Sequence, residues 1–135
     1  MQNPPPAGKS STGLDENIAA LLSYVFGWVS GLIFFLIEKD SRFVRFHAMQ
    51  SILFNALIVV IAVVLGIGIT VLVFILGQLS GALAGIASLL SFLFWLLFGL
   101  LIFVAFVLLL IKAFQGQMFK LPIIGDYAEK FSAPK

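Results

Sequence analysis

The stretch Glu38–Gln50, EKDSRFVRFHAMQ, is the main polar interruption in an apolar chain. It holds five charged residues and the single histidine, His47. The sequence is apolar before it, and no Asp, Glu, Lys or Arg occurs from Phe46 to Ile111 after it. Because a bilayer-spanning helix needs about 20 apolar residues, this stretch marks where the chain leaves the bilayer and re-enters it.

Composition supports a membrane protein. Of the 135 residues, 61% are hydrophobic and only 10% are charged, whereas soluble domains carry roughly 25% charged residues. In lipid, each spanning segment must satisfy its own backbone hydrogen bonds, which favours helices. We therefore predict an all-α integral membrane helical bundle with a short amphipathic C-terminal segment.

The pattern predicts three transmembrane helices. The predicted helices are Leu14–Ile37, Phe46–Leu76 and Ala84–Phe114, with a turn at Gly77–Gly81. The predicted divisions are a disordered polar tail (1–12), a transmembrane bundle (13–114) and an amphipathic cytoplasmic tail (115–135). An alternative with four helices breaks the chain near Gly66–Gly68 and near Leu90.

The distribution of cations predicts the orientation. Lys and Arg near helix ends mark the cytoplasmic side. Three spans place every Lys and Arg except Lys9 on the side of the C-terminus, whereas four spans divide them more evenly. We predict a multi-pass protein of the cell membrane with its N-terminus outside and its C-terminus in the cytoplasm.

Small and polar residues at helical spacing are candidates for helix packing. The predicted packing positions are Ser23, Gly27, Gly31, Asn55, Gly77, Gly81 and Gly85. For the face of Ser23, Gly27 and Gly31, a contact within the same chain is favoured, and homodimerisation is the alternative.

Arg42, Arg45, His47 and Gln50 form the main cluster of polar side chains, and two interpretations stay open. In the first, the arginines set the topology while His47 and Gln50 tie helices together. In the second, the cluster contacts an anionic group of a lipid or a partner protein, because the planar guanidinium binds phosphate or carboxylate through two hydrogen bonds.

The sequence gives little support for catalysis. It has no cysteine and one histidine, whereas metal sites need several such ligands. The carboxylates lie at a helix start, in the cationic loop and in the tail, so no pair is placed for acid–base chemistry. We predict no enzymatic activity, no catalytic residues, no metal, no cofactor and no nucleic acid partner.

Two blocks carry a family resemblance: Gly13–Ser51, GLDENIAALLSYVFGWVSGLIFFLIEKDSRFVRFHAMQS, and Leu110–Phe131, LIKAFQGQMFKLPIIGDYAEKF. They resemble a Tic-Twenty-like family of small prokaryotic membrane proteins. That family is grouped with the twenty-kilodalton component of the chloroplast inner-envelope protein translocon. The resemblance implies a bundle of three or four helices and a membrane location. Its plant members are implicated in preprotein import, whereas most prokaryotic members have no assigned activity.

Two functional hypotheses follow. The first is a non-enzymatic membrane subunit that acts by helix–helix association, in a complex resembling a translocation machine. Its predicted partners are the lipid bilayer and either further copies of the chain or other membrane proteins. The second is a passive channel or carrier for a small solute, with Asn55, Gln78 and Ser88 or Ser91 along one path.

Overall fold

The computed structural model describes residues 8–133 of the chain, and these residues form five α-helices. They are α1 (Glu16–Val25), α2 (Trp28–Ile37), α3 (Arg42–Leu79), α4 (Gly81–Phe114) and α5 (Ile124–Phe131). The chain divides into two compact units. Unit 1 comprises residues up to 57 and from 106 onward, and unit 2 comprises residues 58–105. The all-α prediction is confirmed across the described range.

The predicted first helix, Leu14–Ile37, is wrong as a single helix, because the chain reverses direction at Phe26 and Gly27. Gly27 has a φ of 63°, a left-handed conformation that a residue without Cβ adopts readily. The Ser11 hydroxyl donates to the Glu38 carboxylate at 2.6 Å, which brings the two ends of the segment together. α1 and α2 are therefore a helical hairpin of two ten-residue helices.

α3 and α4 are long, continuous helices joined at Ser80. The predicted turn at Gly77–Gly81 is confirmed, and the Ser80 hydroxyl accepts the N–H of Ala82 at 3.1 Å where α4 begins. Neither helix is interrupted at residues 66–68 or near residue 90, where the four-helix alternative placed its breaks. α3 begins at Arg42, so the cationic part of the charged stretch is already helical.

The exposed surfaces of α3 and α4 suit a membrane. Both helices are long and apolar enough to cross a bilayer, and almost none of their most apolar stretches is buried. Exposing that much apolar surface to water would be unfavourable by about 25 cal/mol per Å². Across residues 8–133, only these two helices meet the length and composition of a span. The predicted count of three spans is therefore not confirmed.

Unit 1 has a small core to which α1, α3, α4 and α5 contribute apolar side chains. The fully buried ones are Ala19, Ala20, Val44, Phe46, Ala48, Leu109, Ala113 and Ala128. α5 forms within the predicted amphipathic segment. Ile124 and Ala128 on its apolar face are buried, whereas Tyr127 and Phe131 stay half-exposed and stack on each other with ring centroids 6.3 Å apart.

The predicted disordered tail, residues 1–12, is only partly covered. Residues 1–7 lie outside the described residues. Ser10 is buried and Ser11 is bonded to Glu38, so the ordered contacts of unit 1 begin within the predicted tail. The division of the chain into three segments stays a prediction.

Candidate functional site in unit 1

A chain of buried hydrogen bonds links α1, α3 and the segment after α4. The Nε2 atom of His47 lies 2.9 Å from the carbonyl oxygen of Gln117. A carbonyl can only accept, so Nε2 carries the proton and Nδ1 is free to accept. Nδ1 lies 2.7 Å from the Tyr24 hydroxyl, which therefore donates to it. Gln50 Nε2 in turn donates to the Tyr24 oxygen at 3.2 Å. The arrangement holds His47 as a neutral imidazole.

Gln50 fixes the path of the chain between α4 and α5. Its Nε2 donates to the Phe119 carbonyl at 2.8 Å, and its Oε1 accepts the Leu121 N–H at 2.9 Å. His47 bonds to Gln117 in the same segment, so three alternate residues are held to one face of α3: Gln117, Phe119 and Leu121. The side chains of His47 and Gln50 are fully buried. Buried polar groups need such partners, since each unsatisfied one costs about 1–3 kcal/mol.

Arg45 joins the end of α2 to the end of α5. Its Nη1 donates to the carbonyls of Phe35 at 3.0 Å and Glu38 at 2.8 Å. Its Nε donates to the Ser132 carbonyl at 3.2 Å. The guanidinium also lies over the Phe35 ring, 4.2 Å from its centroid. A cation at the carboxyl end of α2 interacts favourably with the helix dipole.

The Glu38 carboxylate is held by hydrogen-bond donors close to the start of α3. It accepts the backbone N–H groups of Ser11, Asp40 and Ser41 at 2.9–3.0 Å and the Ser11 hydroxyl at 2.6 Å. Burial by itself raises the pKa of Glu38, but these hydrogen bonds outweigh burial and hold its pKa below the usual range. The ionised carboxylate thus closes the open end of the α1–α2 hairpin.

The residues predicted to contact an anionic group lie close together, but three of them are buried and bonded inside the chain. Arg45, His47 and Gln50 are buried and bond to backbone groups of unit 1. Arg42 is exposed, and its Nη2 lies 3.5 Å from the Glu129 carbonyl. The arrangement matches the tying of helices that the first interpretation assigned to His47 and Gln50. Contact of the group with an anionic lipid or partner stays a prediction, and Arg42 is the exposed member.

Of the predicted packing residues of unit 1, Gly27, Gly31 and Asn55 lie where α2 and the hairpin turn meet α3, whereas Ser23 lies in α1. A Cβ on Gly31 would lie 2.9 Å from the Ala48 carbonyl oxygen, so these helices approach closely. Gly27, in the hairpin turn, faces the Asn55 side chain. Ser23 is buried and donates to a carbonyl of its own helix. Gly31 therefore lies close to α3 of its own chain, and the assignment of these residues to helix packing stays a prediction.

The predicted packing residues of unit 2 are more open. A Cβ on Gly77 would lie 3.5 Å from the Cβ of Ala84, in ordinary contact across the turn. A Cβ added to Gly81 or to Gly85 would have no neighbouring atom within 4 Å. These two glycines leave space beside α4 that the chain itself does not fill.

Residues 14–128 match the profile of one protein family. This family is described as the magnetosome magnetite crystal formation protein family (MamF and MmsF). The chain belongs to this family. The match covers both helices of the hairpin, α3, α4 and most of α5. The predicted resemblance to Tic-Twenty-like proteins is therefore wrong. The two blocks that suggested it, Gly13–Ser51 and Leu110–Phe131, lie almost wholly within the matched range.

Archaeal relatives of the chain are named as membrane proteins. A UPF0132 membrane protein of Methanocaldococcus jannaschii is 38% identical over 125 residues, covering 93% of this chain and 96% of the relative. A second one from that organism is 34% identical and covers 88% and 71%. One from Archaeoglobus fulgidus is 31% identical and covers 87% and 95%. No solved structure matches the chain. These names and the two long apolar helices support a membrane location.

The channel hypothesis placed polar side chains on one path: Asn55, Gln78 and either Ser88 or Ser91. The Asn55 amide donates to the Ser51 carbonyl of its own helix at 2.8 Å. The Ser91 hydroxyl likewise donates to Ala87 at 2.7 Å. Gln78 and Ser88 are exposed. These contacts stay within single helices and give the channel hypothesis no support.

Two features of the site were missed by sequence reasoning. One is the capture of Glu38 by Ser11, 27 residues away; the other is the docking of the segment around Phe119 onto Gln50, 69 residues away. The first includes a bond between two side chains whose separation fits no local spacing pattern. The second depends on backbone groups, which every residue carries, so residue type gave no signal for it. The available clue was Gln50 itself, since a polar side chain beside a membrane span usually bonds across helices.

Proposed function

We propose that this chain is a non-enzymatic protein of the cell membrane that acts by associating with other membrane helices through α3 and α4. The observation that carries the proposal is an open apolar groove between these helices in unit 2. The groove has a volume of about 340 Å³. Its lining residues are Ile69, Leu72, Leu76, Leu83, Ile86, Ala87, Leu90, Ser91 and Phe94.

The groove suits a helix in lipid. Hydrophobic burial does not drive association between helices in a bilayer, so close packing at small residues carries more weight. Gly68, one helical turn from Leu72, has nothing within 4 Å of a Cβ position, and Ala87 and Ser91 are small residues in the lining, so the backbone of a partner helix can approach there. Ser91, the polar lining residue, already donates to its own helix. The groove therefore offers shape and apolar contact without unpaired hydrogen-bonding demands.

The distribution of charge supports an orientation with the charged segments of unit 1 on the cytoplasmic side. All eight Lys and Arg residues fall in the sequence of unit 1, and none falls in residues 58–105. Cytoplasmic segments near helix ends carry the excess of Lys and Arg. With α3 and α4 as the spans, the turn at Ser80 faces the outside. The N-terminal and C-terminal ends of the described chain then face the cytoplasm, which revises the predicted outside N-terminus.

Crosslinking in native membranes tests the association. The chain has no cysteine, so a Leu72→Cys variant places a single thiol in the groove. We expect a short bifunctional maleimide to join this thiol to a second copy or to another membrane protein. Adding Gly68→Leu, one helical turn away on the same face, should lower the yield several-fold because the larger side chain keeps the partner helix away.

Two controls make the test specific. Ile67→Leu changes neither size nor polarity on a different face of α3 and should leave the crosslinking yield unchanged. Lys39→Cys, in unit 1, reports random collisions. If Leu72→Cys crosslinks no better than Lys39→Cys, or if Gly68→Leu has no effect, the groove is not the surface of association.

A further inference from the structure

The α1–α2 hairpin has an apolar tip and a charged open end. Phe26 and Trp28 at the turn are 76% and 55% exposed. The exposed apolar surface continues along the hairpin through Val25, Val29, Leu32, Ile33 and Leu36. At the open end, Lys9 pairs with Asp15 at 2.6 Å, and Lys39 and Asp40 are exposed. Such a turn in water would expose aromatic surface at a cost of about 25 cal/mol per Å².

Polar backbone groups around the turn are satisfied from within the chain. The Phe26 N–H donates to the Ser30 hydroxyl at 3.0 Å, and that hydroxyl lies 3.1 Å from the Ser23 carbonyl, to which it donates. The Gly27 carbonyl accepts from the Ser51 hydroxyl at 3.0 Å. A turn in water needs no such partners, whereas backbone groups inside lipid must be satisfied by the protein.

From these observations we propose that the α1–α2 hairpin enters one leaflet of the bilayer and returns to the same side, with its tip among the lipid acyl chains. Ten-residue helices are about 15 Å long, half of the roughly 30 Å hydrocarbon core, so the hairpin reaches into the bilayer without crossing it. The ligand is the hydrocarbon of the lipid. This contact involves unit 1 alone, so its failure leaves the association through α3 and α4 untouched.

Cysteine accessibility in sealed vesicles of both orientations tests the side on which each end lies. Thr12→Cys and Lys39→Cys mark the two arms of the open end, Gln115→Cys marks the segment after α4, and Phe26→Cys marks the tip. We expect a membrane-impermeant maleimide to label positions 12, 39 and 115 from the same side. Position 26 should react only after detergent is added. Labelling of positions 12 and 39 from opposite sides would show a complete span and overturn the proposal, as would rapid labelling of position 26.

Tryptophan fluorescence identifies what covers the tip. A Trp95→Phe variant leaves Trp28 as the only tryptophan, and Trp28→Phe is the matched control that leaves Trp95. In vesicles of phosphatidylcholine brominated on its acyl chains, we expect Trp28 to be strongly quenched and to be shielded from iodide in the buffer. If position 26 is protected but Trp28 is not quenched by the brominated lipid, a protein covers the tip and the proposal fails.

Discussion

Unit 1 carries every charged residue of the chain and unit 2 carries none, and the two units differ in what they bury. Unit 1 buries Arg45, His47 and Gln50 and bonds each one to backbone far away in the chain. Unit 2 leaves its apolar side chains exposed, and Ser91 bonds within its own helix. Unit 1 is therefore specified by particular polar contacts, whereas unit 2 depends on composition and on lipid.

The physical reason is that a hydrogen-bonding group loses its water both in lipid and in the buried part of unit 1. A helix in lipid satisfies its backbone through its own hydrogen bonds, so α3 and α4 need no tertiary partner in unit 2. The hairpin turn and the segment between α4 and α5 are not helical, and their backbone groups need side chains to bond to. Gln50 and His47 supply those bonds to the segment. Substitutions of the same type in the two units should therefore have different effects.

Replacing a glutamine in each unit should give the largest contrast. Gln50→Leu leaves the Phe119 carbonyl and the Leu121 N–H without their partners and takes a donor from Tyr24. At about 1–3 kcal/mol per buried unsatisfied group, we expect a loss of about 3 kcal/mol or more in the free energy of unfolding of unit 1. Hydrogen exchange of the backbone amides of residues 117–121, with the protein in nanodiscs, measures this loss of stability.

The matched control is Gln78→Leu in unit 2. Gln78 is exposed next to the α3–α4 turn, and a surface substitution of this kind changes stability by about 0.5 kcal/mol or less. Equal effects of the two substitutions would remove the distinction between the units. Faster exchange confined to unit 1 in Gln50→Leu would sharpen it.

Alanine in place of glycine should have opposite signs in the two units. A Cβ on Gly31 would lie 2.9 Å from the Ala48 carbonyl oxygen, which is backbone and cannot rotate away. We expect Gly31→Ala to destabilise unit 1 by about 1–3 kcal/mol through overpacking. Gly68 has nothing within 4 Å, so Gly68→Ala should gain up to about 1 kcal/mol from helix propensity. Thermal unfolding of both variants in the same detergent, monitored by circular dichroism, compares their stabilities. Destabilisation by both would mean that residue 68 is also closely packed.

Sequence reasoning succeeded where local composition is sufficient. Long apolar runs predicted α3 and α4, and the residues around Ser80 predicted the turn between them. It failed at the first helix because Leu14–Ile37 is apolar enough to span and carries no proline. Gly27 was assigned to helix packing, since a glycine that permits close packing and one that adopts a positive φ look the same in sequence.

The candidate site was predicted in its members but not in its contacts. Arg45, His47 and Gln50 were singled out as chemically unusual, and the structure brings them together. Their hydrogen bonds run to carbonyls and N–H groups at separations of 69–71 residues for His47 and Gln50. The identity of a backbone partner depends on where the chain passes, so the fold must be known before such contacts can be named.

Acidification should give the smallest effect and should be confined to unit 1. The folded-state pKa of Glu38 lies below its ordinary value of 4.5. Its stabilising contribution is therefore complete above that value and is lost as the pH falls through the lowered folded-state pKa. The neutral acid keeps some hydrogen-bonding capacity, so we expect the α1–α2 hairpin to loosen without unfolding. The distribution of distances between spin labels at Thr12→Cys and Lys39→Cys should broaden in acid.

Two variants serve as controls. In Glu38→Gln the distribution should already be broad at neutral pH and should change little in acid. Asp126→Asn removes an exposed carboxyl in α5 and should behave like the parent chain. Parallel broadening in acid in the parent chain and Glu38→Gln would place the titrating group elsewhere in unit 1.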